Sequence, residues 1–206
     1  YLSFERYKTR DRLRADTIER LHERVEREVR SALRPFGYYD PTVKSSVEPR
    51  DNGEDWRVRI DIEPGEPVVL ETVDVSVTGP RAGDPVFRDI LAHLPLRRGE
   101  RLDHATYEKV KSDLQRSAAS YGYLDARFTR NELLVDPPEH TASAFIAFET
   151  GERYRFGPTE IAQDVIRPEL MRKYLRYQEG QPYDATELLR TQFALDDSQY
   201  FASVEV

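Results

Sequence analysis

The chain has 206 residues, 38% of them hydrophobic and 33% charged, with 31 Lys and Arg against 38 Asp and Glu, a net charge of −7 and a pI near 5.3. That balance argues against a primary role on DNA, RNA or anionic lipid, and the lack of cysteine excludes disulfides, thiolate nucleophiles and cysteine-ligated metal. No window approaches the roughly 18–20 apolar residues a bilayer-crossing helix needs, so the expectation is a soluble chain or the soluble part of something larger.

Residues 1–7 read as the tail of an earlier helix, which leaves the first module without an opening strand. Asp16 and Glu19 have capping-box spacing and should start a helix that ends near Pro35, with Ile18, Leu21, Val25, Val29, Ala32 and Leu33 on one stripe. Its many arginines are nearly balanced by acids at helical spacing, the pattern of a solvated face. Gly37-Tyr38-Tyr39-Asp40 ends the helix, and residues 41–48 run extended into a turn at 49–53 that contains Asn52-Gly53. Trp56, Val58, Ile60 and Ile62 then alternate with polar residues, predicting a half-buried strand with Trp56 plugging the core. Pro64-Gly65-Glu66-Pro67 breaks the chain.

The second segment opens on Val73, Val75 and Val77 in alternation with Asp74, Ser76 and Thr78, followed by a short helix over 85–93. Asp103 can cap a longer helix with Tyr107, Val110, Leu114, Ala118 and Tyr121 on one stripe, ended by Gly122. Residues 126–135 form a strand whose apolar parity slips between Phe128 and Leu133, predicting a bulge, and 136–139 turn it back into Ala142, Ala144, Ile146 and Phe148. A third segment repeats the start: a strand at 153–157, a short helix over 168–175, a longer one over 185–196 with Leu188 and Leu195 inward, and a strand beginning near Tyr200.

The segments are copies of one another. Gly37-Tyr38-Tyr39-Asp40 answers Gly122-Tyr123-Leu124-Asp125 at an offset of 85, and Gly65-Glu66-Pro67-Val68 answers Gly151-Glu152-Arg153-Tyr154 at 86. Gly99 to Asp103 answers Gly180 to Asp184 at 81, a drift that loop insertions allow. The expected fold class is α+β, with tandem domains over 1–65, 66–149 and 150–206, each a three-stranded mixed sheet in the order β-α-α-β-β backed by two helices, the first and last incomplete.

Chemistry is sparse. His22, His93, His104 and His140 have no metal-ligand spacing, and each is expected at the surface. There is no nucleophile elbow, phosphate loop or dinucleotide fingerprint, so no catalytic residue, metal or cofactor is assigned. The rings of Tyr38, Tyr39, Tyr123, Tyr200 and Phe201 sit where helix hands over to strand and are expected to fill core corners. The element order overlaps with RNA-binding KH folds, but their Gly-x-x-Gly clamp is missing.

With its Gly-Tyr helix exits, Pro64-Gly65-Glu66-Pro67-Val68 and above all Thr150-Gly151-Glu152-Arg153-Tyr154-Arg155-Phe156-Gly157, the chain resembles the POTRA domains of the TamA family, which precede an outer-membrane barrel. The resemblance implies a non-enzymatic periplasmic scaffold of three POTRA domains, followed by its own C-terminal barrel. It also implies a TamB-like inner-membrane-anchored partner and nascent outer-membrane β-barrel clients such as autotransporters, with no nucleic acid or cofactor. POTRA arrays of the main barrel assembly protein or of two-partner secretion transporters are the alternatives within the fold, and a hydrolase using paired carboxylates is the alternative outside it. In such modules the second strand is the outer edge, whose unpaired backbone can accept a visiting strand. That points to Thr42, Val43, Ser45 and Val47 on one edge and to Ala126, Phe128 and Thr129 on another, with Lys44, Glu48, Arg127 and Arg130 as guards.

Overall fold

The computed structural model describes residues 2–4, 15–50 and 55–204. In chain order the elements are α1 (Ala15–Leu33), β1 (Thr42–Pro49), β2 (Trp56–Glu63), β3 (Val69–Thr78), α2 (Pro85–Ala92), α3 (His104–Ser120), β4 (Arg127–Asp136), β5 (Thr141–Glu149), α4 (Pro168–Met171) and α5 (Ala185–Asp197). Single 3-10 turns extend α1 over Arg34–Phe36 and α4 over Arg172–Tyr174. The fold is mixed α+β, with a two-stranded sheet β1-β2 and a three-stranded mixed sheet in the order β3-β5-β4. The middle of the chain therefore has the expected β-α-α-β-β order, with its last strand at the centre of the sheet.

By packing, the chain divides into two compact units. The first comprises Tyr1–Val73, Pro95–Glu108 and Glu132–Phe145, the second Asp74–Leu94, Lys109–Asn131 and Ile146–Val206, so that β3, α3, β4 and β5 each begin in one unit and end in the other.

In the first unit α1 buries Ile18, Leu21, Val25 and Val29, the predicted stripe, while Ala32 is exposed because the helix tightens into its 3-10 turn just beyond. Asp16 lies inside α1, its carbonyl oxygen accepting from Arg20 Nε at 3.2 Å, and is not the cap. The helix tail read at 1–7 falls mostly outside the described residues, as does the Asn52-Gly53 turn. β1 and β2 pair antiparallel in one unbroken register from Thr42↔Glu63 to Pro49↔Trp56. Val58 and Ile60 are half-buried, as is Trp56, while Ile62 is 42% exposed.

In the second unit Phe87 of α2, Tyr123 and Phe148 form an aromatic core. Phe87 meets Tyr123 edge-on at 5.0 Å between centroids, and Phe128 meets Phe148 the same way. Asp84 caps α2 by accepting from Val86 N, and Asp184 caps α5 by accepting from Thr186 N. Along α3, Tyr107, Val110, Leu114 and Ala118 are buried as expected, but Tyr121 is 37% exposed. It sits in the turn after the helix, and Tyr123, two residues on, takes the core position instead. The parity slip in β4 is present, since Phe128 faces inward with Leu133 and Val135.

The segment at 153–157 is not a full strand: only Arg155 makes a ladder bridge, to Pro182. Residues 200–204 likewise form no strand, and the carbonyl of Val204 instead accepts from Gln192 Nε2 at 2.9 Å. Residues 205–206 lie outside the described part. No described helix is long and apolar enough to cross a membrane.

Candidate strand-docking site

The direction of each backbone group along β1 follows from one hydrogen bond. Arg50 N–H donates to Asp55 C=O at 2.8 Å, which makes 50 and 55 a hydrogen-bonded pair in the register that runs through the whole hairpin. Antiparallel ladders alternate, so Thr42, Lys44, Ser46 and Glu48 spend their backbone groups on β2, whereas those of Val43, Ser45, Val47 and Pro49 point away from it. Among the described residues nothing pairs with the N–H groups of Val43, Ser45 and Val47, which thus line the outer edge, and Pro49 has no N–H to offer at the fourth position.

Of the sequence-predicted residues, Val43, Ser45 and Val47 are these outward donors. Thr42 faces β2 and contributes nothing to the edge. The signal that separates them is the turn register, which composition does not reveal. The side chains of the outward residues turn toward α1, where Ser45 Oγ and His22 Nε2 are 2.7 Å apart. His22 is thus a half-buried tie between helix and strand and not the surface histidine the sequence suggested. His104 is similar, with Nε2 2.8 Å from Tyr39 Oη.

β4 is an edge of the three-stranded sheet. Phe128 points inward onto Phe148, and Thr129 Oγ1 donates to the Ala147 carbonyl at 3.3 Å. Ala126 precedes the strand, and its N–H is used by the Tyr123 carbonyl at 3.1 Å, so it belongs to the turn. Arg127 is held by Glu149 at 2.5 Å, which places a charge pair across the start of this edge.

Each unit also contains a joint built from the repeated landmarks. In the first, Val68 N–H donates to Gly37 C=O, Leu70 N–H to Glu100 C=O, Gly99 N–H to Leu70 C=O and Leu102 N–H to Val68 C=O. In the second, Tyr154 N–H donates to Gly122 C=O, Phe156 N–H to Gln181 C=O, Gly180 N–H to Phe156 C=O and Tyr183 N–H to Tyr154 C=O. These are the same four bonds at the offsets read from sequence. Gly37 and Gly122 have φ of +86° and +80°, and a Cβ on Gly37 would lie 2.6 Å from the Leu102 carbonyl oxygen.

The second joint has a polar clamp. Tyr123 Oη donates to Asp84 Oδ2 at 2.6 Å, and Arg153 donates to the carbonyls of Tyr121 and Tyr183 at 2.8 and 3.1 Å, with Asp84 3.7 Å away. Burial, then the hydrogen bond to Asp84, push the Tyr123 phenol up to about 12. Burial alone would raise Asp84, but the Tyr123 hydroxyl, the Val86 N–H and the two nearby guanidinium groups hold it below the ordinary carboxylate value.

Among the described residues no group of three or more His, Asp or Glu is placed to hold a metal. A cavity of about 390 Å³ in the second unit, flanked by Met171, Leu175, Leu195 and Phe201, has one carboxylate in its lining, Glu160.

The family described as POTRA domain TamA domain 1 matches residues 1–64. Residues 1–64 are thus similar to a POTRA domain of the TamA type. Among solved structures, POTRA domains 3–5 of BamA from Haemophilus influenzae are similar at 20% identity and a TM-score of 0.47, over 90% of this chain and 72% of that one. POTRA domains 1–3 of the periplasmic domain of Omp85 from Anabaena are similar at 15% identity and a TM-score of 0.31, over 84% and 70%. The edge strand β1 lies inside the matched POTRA domain.

Proposed function

We propose that this chain is the periplasmic POTRA region of an outer-membrane β-barrel assembly factor of the TamA type, organised as domains over 1–65, 66–149 and 150–206. It receives extended segments of β-rich outer-membrane clients, autotransporters among them, by backbone pairing at β1 and β4. A TamB-like inner-membrane-anchored protein and the factor's own barrel are its other partners, and no reactive side chain is involved. The observation that supports this most directly is the row of outward N–H groups on Val43, Ser45 and Val47 inside the POTRA match, because main-chain pairing accepts many sequences.

The test compares two substitutions at one residue. Ser45→Pro deletes an outward donor and the hydroxyl, whereas Ser45→Ala deletes the hydroxyl alone. With a labelled peptide copied from a barrel strand, Ser45→Ala should bind like the wild type and Ser45→Pro about fivefold more weakly or worse, with the fold intact by circular dichroism. Equal affinity for all three proteins would overturn edge pairing at β1.

A further inference from the structure

The repeat supplies an internal control for surface composition. α1, α3 and α5 occupy equivalent places: Val25, Val110 and Thr191 are buried at one matched position, and Val29, Leu114 and Leu195 at the next. Asp103 and Asp184 cap α3 and α5 alike, accepting from the N–H two residues on at 2.8 Å. On the outward face the matched pairs are Glu23 and Arg27 in α1, Glu108 and Ser112 in α3, and Leu189 and Phe193 in α5, all exposed. The fold is thus content with polar residues at these positions. In α5 alone of the three they are large and apolar, and Leu189 and Phe193 are 52% and 63% exposed.

One turn farther along α5 stand Asp196 and Asp197, at the end of the helix where the macrodipole favours cations, and the last turn holds no basic residue. No ion pair involves either carboxylate among the described residues. Exposed apolar side chains spaced one turn apart, with unneutralised carboxylates beside them, match an apolar segment that carries its own cations. The same carboxylates repel a second copy of this face and an anionic membrane surface.

We propose that the outward face of α5, with Leu189 and Phe193 as anchors and Asp196 and Asp197 as the charged rim, docks a protein segment that presents apolar side chains next to Lys or Arg. This proposal uses none of the residues of the strand edges and does not depend on them.

The probe is a short fluorescein-labelled peptide of alternating Leu and Lys, beside Leu-Glu and Ser-Lys counterparts, titrated with the full 206-residue chain. The Leu-Lys peptide should bind, and the other two should bind about tenfold more weakly or worse. Leu189→Glu with Phe193→Ser installs the residues of α3 and should abolish the preference while leaving the melting temperature in place, since those residues are tolerated at the same positions there. Asp196→Asn with Asp197→Asn should weaken binding and flatten its salt dependence, and Ser45→Pro should leave this binding unchanged. The proposal is overturned if the Leu-Lys peptide does not bind, if the α5 variant binds it as well as the wild type, or if the three peptides bind alike. It is also overturned if the face instead drives self-association or binding to phosphatidylglycerol vesicles that the α5 variant loses.

Discussion

The two joints share four backbone hydrogen bonds and their left-handed glycines, and differ in the side chains that cover them. The first is covered by aliphatic side chains, with Val68, Leu70 and Leu102 all buried, and its outer surface carries Arg101 over the Tyr38 ring at 5.5 Å. The second replaces Val68 with an exposed Tyr154 and Leu102 with a half-buried Tyr183, and it draws Arg153 into the middle, over the rings of Tyr121 and Tyr123. Pro67 stands where Arg153 does in the second joint, so the first has no such clamp. The main chain carries the geometry in both, and the side chains decide whether burial or polar ties hold it.

The comparison breaks most readily at the glycines. Gly37→Ala forces a side chain into left-handed backbone and against the Leu102 carbonyl, and should cost about 3 kcal/mol or more in chemical denaturation. Gly99→Ala has a similar φ of +85° with nothing within 4 Å, and should cost about 1 kcal/mol. Equal losses would mean that the close approach at Gly37 does not matter. Gly122→Ala, whose Cβ would lie 2.7 Å from Tyr183 Cβ, should behave like Gly37→Ala.

Arg153→Ala tests whether the second joint relies on its clamp. Losing two charge-assisted bonds to carbonyls should cost about 2 kcal/mol, and Arg153→Lys should recover less than half of it, because an ammonium cannot span both acceptors. Arg101→Ala, on the exposed side of the first joint, should change stability by about 0.5 kcal/mol or less.

Tyr123→Phe should cost about 1–2 kcal/mol at neutral pH and reshape the pH profile. The folded chain keeps the Tyr123 proton up to about pH 12, whereas an ordinary phenol loses it near 10, so the stability it adds is complete below pH 10 and lost between there and 12. Asp84 acts in the opposite sense: its contribution is present above the ordinary carboxylate value of 3.8 and lost as pH falls through its lower folded value. Tyr123→Phe should therefore soften both limbs of a stability–pH curve. An unchanged alkaline limb would show that the hydroxyl adds nothing there.

Much of this architecture was legible because the repeat is written in residues that backbone geometry demands. The glycines at positive φ, the Asp103 cap and the buried helix stripes follow from local rules, whereas Asp16, read as a cap, lies inside α1. What was not legible depends on partners distant in sequence. Nothing near Thr42 or Ala126 says that their backbone groups are already used, by Glu63 and by Tyr123. The exposure of Tyr121 and burial of Tyr123 hinge on where α3 stops, which Gly122 fixes only to within a residue or two. The alternation at 153–157 predicts a strand, yet its neighbour supplies pairing at a single bridge, because Gly180 and Gln181 close a turn there.

Pro49 sets a limit on what the edge of β1 can do. With only Val43, Ser45 and Val47 donating, those three bonds give a guest about 1.5–4.5 kcal/mol at most, which corresponds to dissociation constants of roughly millimolar or weaker. Such a grip lets go within moments of forming. Under the proposed strand docking, so weak a grip favours a short dwell time over a firm hold, and overall affinity would have to come from pairing the same client at more than one edge.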